Sequence, residues 1–409
     1  MIILVYGINY YPELIGIGKY TTELCQYLAE KGHKVTVVTG FPYYPEWEVK
    51  KPYNKKLFMV EEYQGIKIRR SYLYVPRKVT PRTRILHELS FMIFSFFNLL
   101  FSRRPELLIT ISPPLGLGLV ACAISRIKNI PFLFHVQDLQ PDTAVEVGML
   151  RSKTILKLLY KLEKLVYLQA ARISVISNKM KEKIILKGIS KQKVIYFSNW
   201  VDTECITPMP KINNFRKLNK LNDKFIVLYS GNIGIKQGLD VVLEVAKKTK
   251  DNKKIIYVIV GDGVYKKELL GIYRKSGLEN IIFLPLQPKE ILPYMLSAAD
   301  ICLIPQQMRM TDVTMPSKLL GIMASGRAVI AGANAGTELY NVLNDSGAGL
   351  IVEPENPEQL LKAIMKLYNE PQESEGYGKK ARDYVVNHFS KINVLKSFER
   401  DVFTEFRVH

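Results

Sequence analysis

Twice along this chain a buried strand runs into a glycine-bearing loop, then an amphipathic helix, then a second buried strand. The first instance uses the strand Ile2–Ile8, the loop Gly16-Ile17-Gly18 and the helix Lys19–Lys31, with Leu24, Tyr27 and Leu28 inward, before the strand Lys34–Thr39. The second uses Phe225–Tyr229, the loop from Gly231 to Gly238, the helix Leu239–Thr249 and the strand Ile255–Val260 with Gly261-Asp262-Gly263 behind it. Such βαβ units build parallel sheets covered by helices on both faces. A chain of 409 residues exceeds one comfortable core, so two domains are expected. The polar stretch Lys211–Lys224 reads as the linker between a first domain, 1–210, and a second, 211–385. Further short apolar runs, Leu107–Ile111, Phe132–Val136, Arg172–Ile176 and Lys193–Phe197, read as strands of the first. Ile281–Leu284, Asp300–Pro305 and Ala328–Ala331 read as strands of the second. The end of the chain is helical by pattern, and 386–409 is expected to cross back onto the first domain. Two Rossmann-like halves of this kind would face each other across a cleft.

The stretch Met310–Leu339 offers the clearest place for a phosphate. Pro316 suits the first turn of a helix, and Leu319, Leu320, Ile322 and Met323 follow at helical spacing. Ser317 and Lys318 then lie at a helix start, where free N–H groups and the positive end of the dipole favour an anion. Gly326 closes that helix, and a strand leads to Ala335-Gly336-Thr337-Glu338. In open α/β sheets ligands gather beyond the carboxyl ends of strands. That rule singles out His135 and Asp138, which follow the strand Phe132–Val136, with Asp142 close behind. Gly16 and Gly18 would let backbone approach a ligand, although this is not a dinucleotide fingerprint.

Lys and Arg outnumber Asp and Glu by 58 to 38, a net charge of +20 that implies an anionic partner. Lys67, Arg69, Arg70, Arg77, Lys78, Arg82, Arg84, Arg103 and Arg104 share a window that holds Glu88 as their counter-charge. Lys153, Lys157, Lys161 and Lys164 stripe one side of a helix, with Ile155, Leu158, Leu159, Leu162 and Val166 opposite; this is a solvated face or a membrane-surface helix. Leu89–Phe101, at about 13 residues, is shorter than the roughly 20 needed to span a bilayer and reads as a core helix or a partly inserted one. The aromatic loop Phe41–Trp47 would line a sugar site or cover the domain edge. Cys25, Cys122, Cys205 and Cys302 are scattered and read as reduced thiols of a cytoplasmic protein. The start of the chain lacks the basic region of a signal peptide.

Taken together, YGINYYPELIGIGKYTTEL, FPYYPEW, FHVQDLQPD, YSGNIGIKQGL, PSKLLGIMASGRAVIA and AGTEL resemble the retaining sugar-nucleotide glycosyltransferases of family four, and among them the colanic-acid and exopolysaccharide group. The resemblance spans nearly the whole chain and implies the GT-B fold. It implies a nucleoside-diphosphate sugar held mainly by the second domain, with Asn232, Lys236, Gln237, Ser317 and Lys318 near the diphosphate and Thr337 and Glu338 in the donor loop. His135 matches a histidine that contacts the donor sugar. Many relatives have arginine at the position of Asn232, so Lys236 would substitute for that charge. Relatives also carry two glutamates eight positions apart, where this chain has Val313 and Gly321.

The chemistry expected is hexosyl transfer to a polyprenyl-diphosphate-linked saccharide, in synthesis of exopolysaccharide, capsule or O-antigen, by an enzyme on the cytoplasmic face of the membrane. Departure of the diphosphate builds negative charge that Lys236, Lys318 and a helix start would stabilise. No metal or other cofactor is expected, and no nucleic acid partner. Three other readings are open: a sugar-nucleotide epimerase of the same fold, a non-enzymatic nucleic-acid binder motivated by the charge, and an NAD dehydrogenase.

Overall fold

The structure, a computed structural model, describes residues 1–146, 152–310 and 315–406. It divides into two compact units, Met1–Ser198 with the segment beginning at Leu395, and Asn199–Val394.

The first unit is built on eight strands: β1 (Ile2–Tyr6), β2 (Lys34–Gly40), β3 (Phe58–Tyr63), β4 (Ile66–Ser71), β5 (Leu107–Ser112), β6 (Phe132–Val136), β7 (Arg172–Val175) and β8 (Val194–Tyr196). Their order is β3-β4-β2-β1-β5-β6-β7-β8, parallel throughout except for the β3–β4 hairpin at the edge. In the middle of the sheet Val5 lies opposite both Val37 and Ile109. Helices cover both faces, which is why β1 and β5 are near-continuous apolar runs. The hairpin escapes a reading by apolar runs, because β3 is half exposed along its length. It turns on Gln64-Gly65, both at positive φ (49° and 74°), the geometry of a two-residue hairpin turn.

Arg70, grouped in the sequence with surface cations, is fully buried. Its Nε lies 2.5 Å from Glu61 Oε1, and its two terminal nitrogens donate to the carbonyls of Gly40 and Tyr11 at 3.1 and 2.6 Å. Burial of that guanidinium is tolerable because an anion and two carbonyls replace its water.

Residues Leu89–Leu100 form the latter part of a longer helix, Pro81–Leu100, started by a Thr80 cap and Pro81 in the first turn, with Phe101 as its C-cap. One face, with His87, Phe91, Ser95, Asn98 and Leu99, is buried. The other leaves Ile85, Leu86, Leu89, Ile93 and Phe97 between 45% and 59% exposed, and Phe101 beyond it 73% exposed. Among the described residues no helix is long and apolar enough to cross a membrane.

The helix Lys153–Gln169 carries its four lysines outward. Its opposite side differs from the leucine face expected: Ile155 and Leu158 are exposed, and the buried residues are Glu163, Val166 and Tyr167. A carboxylate sets that docking. Glu163 takes Lys187 at 2.8 Å and the Tyr167 hydroxyl at 3.0 Å, and Lys187 also pairs with Asp142 at 2.5 Å.

The helix Lys391–Phe406 supplies buried Leu395, Phe398, Val402 and Phe403 to the first unit, with Phe398 against Phe197 (ring centroids 4.1 Å) and Phe403 against His33 (4.9 Å).

The second unit has six parallel strands, β9 (Phe225–Ser230), β10 (Ile255–Val260), β11 (Ile281–Leu284), β12 (Ile301–Ile304), β13 (Ala328–Gly332) and β14 (Gly349–Val352), ordered β11-β10-β9-β12-β13-β14. Separate apolar clusters fill its two faces. The strand order reverses between β9 and β12, which marks the crevice where such sheets hold ligands.

The stretch Lys211–Lys224 is not the linker its polarity suggested. It contains a short helix, Asn214–Leu218, with Phe215, Arg216 and Leu221 buried. Arg216 Nη2 lies 2.6 Å from Asp300 Oδ2, and its other nitrogens donate to the carbonyls of Ala298 and Lys224. Residues 199–210 also belong to this unit, so the division falls at 198/199 and not at 210/211. Arg382 ties them in by donating to the carbonyls of Thr203 and Ile206, and Arg327 by donating to that of Met209.

Candidate functional site

In the second unit the carboxyl ends of β9 and β10 carry interlocked glycine loops. Gly231 N–H donates to the Val260 carbonyl at 2.9 Å, and Ile233 N–H to the Asp262 carbonyl at 2.7 Å. The loops touch backbone to backbone. A Cβ at Gly261, which has φ 149°, would lie 1.9 Å from the Gly231 oxygen, so no other residue fits there.

Against this pair stands the helix Ser317–Ala324, with Pro316 as its cap. Lys318 Nζ donates to the Tyr229 hydroxyl at 2.9 Å and sits 4.0 Å from the centre of that ring. The Tyr229 hydroxyl donates in turn to the Asn232 carbonyl at 2.5 Å. Burial draws the Lys318 ammonium down from 10.5 to about 7. Ser317 is exposed beside it. The helix start, Lys318 and the Gly231–Gly234 loop thus form one cationic, donor-rich corner.

Lys236 and Gln237 follow in a short 3-10 turn, Ile235–Gln237. Gln237 Oε1 accepts from Gly234 N at 3.1 Å and so braces the loop, while the Lys236 side chain is exposed. The Lys236 carbonyl accepts from Gln307 N at 3.0 Å, which joins this turn to the chain leaving β12. Beyond β13, Thr337 caps the helix Glu338–Ser346: its hydroxyl accepts from Tyr340 N at 3.3 Å and donates to the Asn334 carbonyl at 2.7 Å. Glu338, expected in a loop, is the first residue of that helix and is buried. Its carboxylate at a helix start suits the dipole. Val313 lies outside the described residues. A Cβ at Gly321 would meet Leu296 and Ile206 side chains at 3.5 and 3.9 Å, so position 321 faces apolar neighbours.

In the first unit the loop after β1 is equally tight. Gly16, at φ 54°, precedes the helix Ile17–Glu30, and a Cβ at Gly18 would lie 2.2 Å from the Glu13 carbonyl oxygen. Glu13 is buried; its Oε1 accepts from the backbone N–H of Tyr43 and of Tyr44, both at 2.6 Å, and Asn9 reaches its other oxygen at 3.0 Å. The aromatic loop after β2 is therefore pinned at its base by a carboxylate from the loop after β1.

His135 is enclosed. It lies within β6, 3% exposed, with Nδ1 2.8 Å from Ser174 Oγ and Nε2 3.0 Å from Gln137 Nε2. Burial pulls its pKa down to about 3, so the ring is neutral. It presents no free nitrogen, and Gln137, two residues on, is the side chain at the strand's carboxyl end. Asp138 accepts from Thr143 Oγ1 at 2.6 Å, within the turn that opens the helix Gln140–Glu146. Asp142 is occupied by Lys187.

Sequence reasoning missed Tyr229, Gly231 and Glu13. Tyr229 ends a buried strand and reads as core; Glu13 lies in a loop with nothing to show that two amides converge on it. Among the described residues no group of three or more His, Cys, Asp or Glu side chains is placed to hold a metal ion. The second-unit corner, a half-buried ammonium beside a helix start and a glycine loop, has the chemistry of an anion site.

Residues 210–384 match the family described as glycosyl transferases group 1, and residues 16–200 match the glycosyl transferase 4-like domain. The colanic acid biosynthesis glycosyl transferase WcaI of Escherichia coli (strain K12) is 35% identical, across 98% of this chain and 100% of its own length. Sucrose-phosphate synthase from Thermosynechococcus elongatus has a similar structure at TM-score 0.77 and 19% identity, covering 100% of this chain and 99% of its own. HepE from Anabaena, solved in complex with UDP, aligns at TM-score 0.72 and 15% identity, covering 99% of this chain and 100% of its own.

Proposed function

This chain belongs to the group 1 glycosyltransferases of GT-B fold, and from that premise we propose that it transfers a hexosyl group from a nucleoside-diphosphate sugar to a polyprenyl-diphosphate-linked saccharide. The process served is synthesis of a bacterial exopolysaccharide or capsule, the role that the colanic acid relative carries in its name. One observation carries the donor half of this reading. Lys318, anchored on Tyr229, meets the Gly231–Gly234 loop at the switch point of the sheet. A diphosphate bound there would restore full charge to Lys318 and gain the N–H groups of Ser317 and Lys318. As the sugar–phosphate bond breaks, the leaving oxygen gains charge, and these groups stabilise it without rearrangement. Lys236 adds a second ammonium. Cationic side chains acting in this way supply the leaving-group stabilisation without a metal, and retention of anomeric configuration is taken from the family resemblance alone. The UDP complex of HepE supports a nucleotide in the same fold.

The acceptor half rests on surface chemistry. The outward face of Pro81–Leu100 is apolar over its length, with Arg77, Lys78, Arg82 and Arg84 near one end, and the Lys153–Lys164 stripe lies on another helix of the same unit. A face of this composition suits peripheral attachment to the anionic inner surface of the cell membrane, where a lipid-linked acceptor resides. The test is a thermal-shift screen of UDP, GDP, ADP and dTDP sugars with and without EDTA, followed by product analysis with lipid-linked acceptor. A stabilising donor that yields no glycosylated lipid, but is itself converted to an epimer, would replace transfer by epimerisation.

A further inference from the structure

His87 is used by none of this, and its surroundings are unusual. It lies on the buried face of Pro81–Leu100, 2% exposed, and its Nδ1 is 2.6 Å from the Tyr74 carbonyl. A carbonyl only accepts, so Nδ1 carries the proton and Nε2 holds a lone pair. That Nε2 is buried and has no hydrogen-bond partner. Burial also lowers the ring's pKa, so the lone pair is retained at neutral pH. Buried acceptors are almost always satisfied, and one left open calls for an occupant.

Two aromatic rings pack against the imidazole. Tyr43 meets the imidazole edge-on at 4.6 Å between centroids, and Trp47 lies at 5.3 Å. Both come from the loop after β2, at the carboxyl edge of the sheet. The loop is pinned where Glu13 accepts from Tyr43 and Tyr44, but its tip, residues 44–46, is exposed. Trp47 itself is held at φ 55°, a left-handed conformation that a bulky side chain rarely adopts. A fixed base, an exposed tip and a strained backbone at the residue that packs on an imidazole with an unpaired acceptor describe a cover that can lift.

We propose that the first unit carries a saccharide-binding subsite in which a sugar hydroxyl donates to His87 Nε2 and the sugar ring packs on Tyr43 and Trp47, with Trp47 as its lid. Aromatic faces for C–H patches and a neutral acceptor for a hydroxyl are the chemistry of an uncharged sugar and do not suit a phosphate. The inference deepens the transfer reading above and rests on it for the role of the sugar as acceptor.

Trp47 reports on its own test, because the chain has two tryptophans and the other, Trp200, is buried in the second unit. In a Trp200→Phe background, glucose, galactose, mannose, fucose and N-acetylglucosamine are titrated without donor to about 100 mM, roughly a hundredfold above the Kd of a millimolar site. Glycerol is the hydroxyl-bearing control. A saturable change in Trp47 emission is expected with at least one sugar and not with glycerol. His87→Phe, which keeps a ring and removes the acceptor, should weaken it by about tenfold or more, and His87→Gln, which restores an acceptor, should stay within about threefold of the parent. Unchanged emission with every sugar, or equal binding by a folded His87→Phe, overturns the subsite. Neither result touches transfer, which is measured separately with donor; sugar binding without transfer would instead remove the enzyme reading and leave the subsite standing.

Discussion

Lys318 Nζ lies 2.9 Å from the hydroxyl oxygen of Tyr229 and 4.0 Å from the centre of the same ring. Because that hydroxyl spends its proton on the Asn232 carbonyl, its lone pair is aimed at the ammonium. The lysine is thus held at the glycine loop before any ligand arrives. Removing it should lower turnover by roughly a hundred- to a thousandfold, the usual loss for one electrostatic donor at a developing charge. Lys236→Ala should lose about a hundredfold or more on the same account. Tyr229→Phe removes the anchor and keeps the charge, so a smaller loss is expected, about 1 kcal/mol or roughly fivefold. Steady-state rates of the three variants, with melting curves to show intact folds, check this order; wild-type turnover in both lysine variants would remove the phosphate site.

The same lysine should make donor binding depend on pH. Its pKa in the folded protein is drawn down to about 7 by burial, and a bound diphosphate favours the charged form and raises it. Donor affinity is then fully expressed below about 7 and falls as pH rises through that value, by at most about tenfold per pH unit. Calorimetry near pH 8, about one unit above that pKa, in buffers of different ionisation heat should show proton uptake on binding, absent in Lys318→Met. Stability moves the other way. The folded pKa is below the unfolded value of 10.5, so the charged lysine costs stability below about 7, and the cost is relieved as pH rises from 7 towards 10.5. Lys318→Met should flatten that rise.

Asp300 is the anchor of the stretch Lys211–Lys224. Its carboxylate takes Arg216 at 2.6 Å, Lys211 at 3.0 Å and the Ile226 amide at 2.8 Å. Asp300→Ala leaves a buried guanidinium without its anion and should cost about 3–5 kcal/mol. Asp300→Leu with Arg216→Met should cost less than Asp300→Ala alone, since no charge is stranded. Urea unfolding of the second unit measures both.

Vesicle sedimentation tests the surface of Pro81–Leu100. Binding to phosphatidylglycerol vesicles, weak binding to phosphatidylcholine, and loss at high salt are expected. Ile93→Asp with Phe97→Asp should abolish the apolar part, and neutralising the four lysines from Lys153 to Lys164 should weaken the electrostatic part by on the order of 1 kcal/mol each. Equal and negligible binding to both vesicle types would make the lysine stripe a solvated face.

What could be read before folding was the set of strands buried on both sides. Runs such as Leu107–Ile111 and Ile255–Val260 leave no polar face, and only a helix-covered parallel sheet accommodates them. The helix start at Ser317-Lys318 was legible for the same reason: proline and the apolar spacing are local signals. What failed were the long-range pairings. Arg70, Arg216 and Glu163 look like surface residues, and their burial depends on partners 9, 84 and 24 positions away. The enclosure of His135 by Ser174, 39 positions away, and the Tyr229 anchor 89 positions from Lys318 were invisible for the same cause.

The segment from Leu395 to Phe403 has a consequence for synthesis. The first unit buries Leu395, Phe398, Val402 and Phe403, yet these residues are made after the whole of the second unit. At about 5–20 residues per second, the ribosome needs roughly 10–40 s to travel from Ser198 to Leu395. During that interval the nascent first unit has all eight of its strands but waits with Phe197 and His33 uncovered by the helix that carries Phe398 and Phe403. The earlier-made half therefore completes its core only at the end of synthesis, and until then chaperones meet it as the unfinished one.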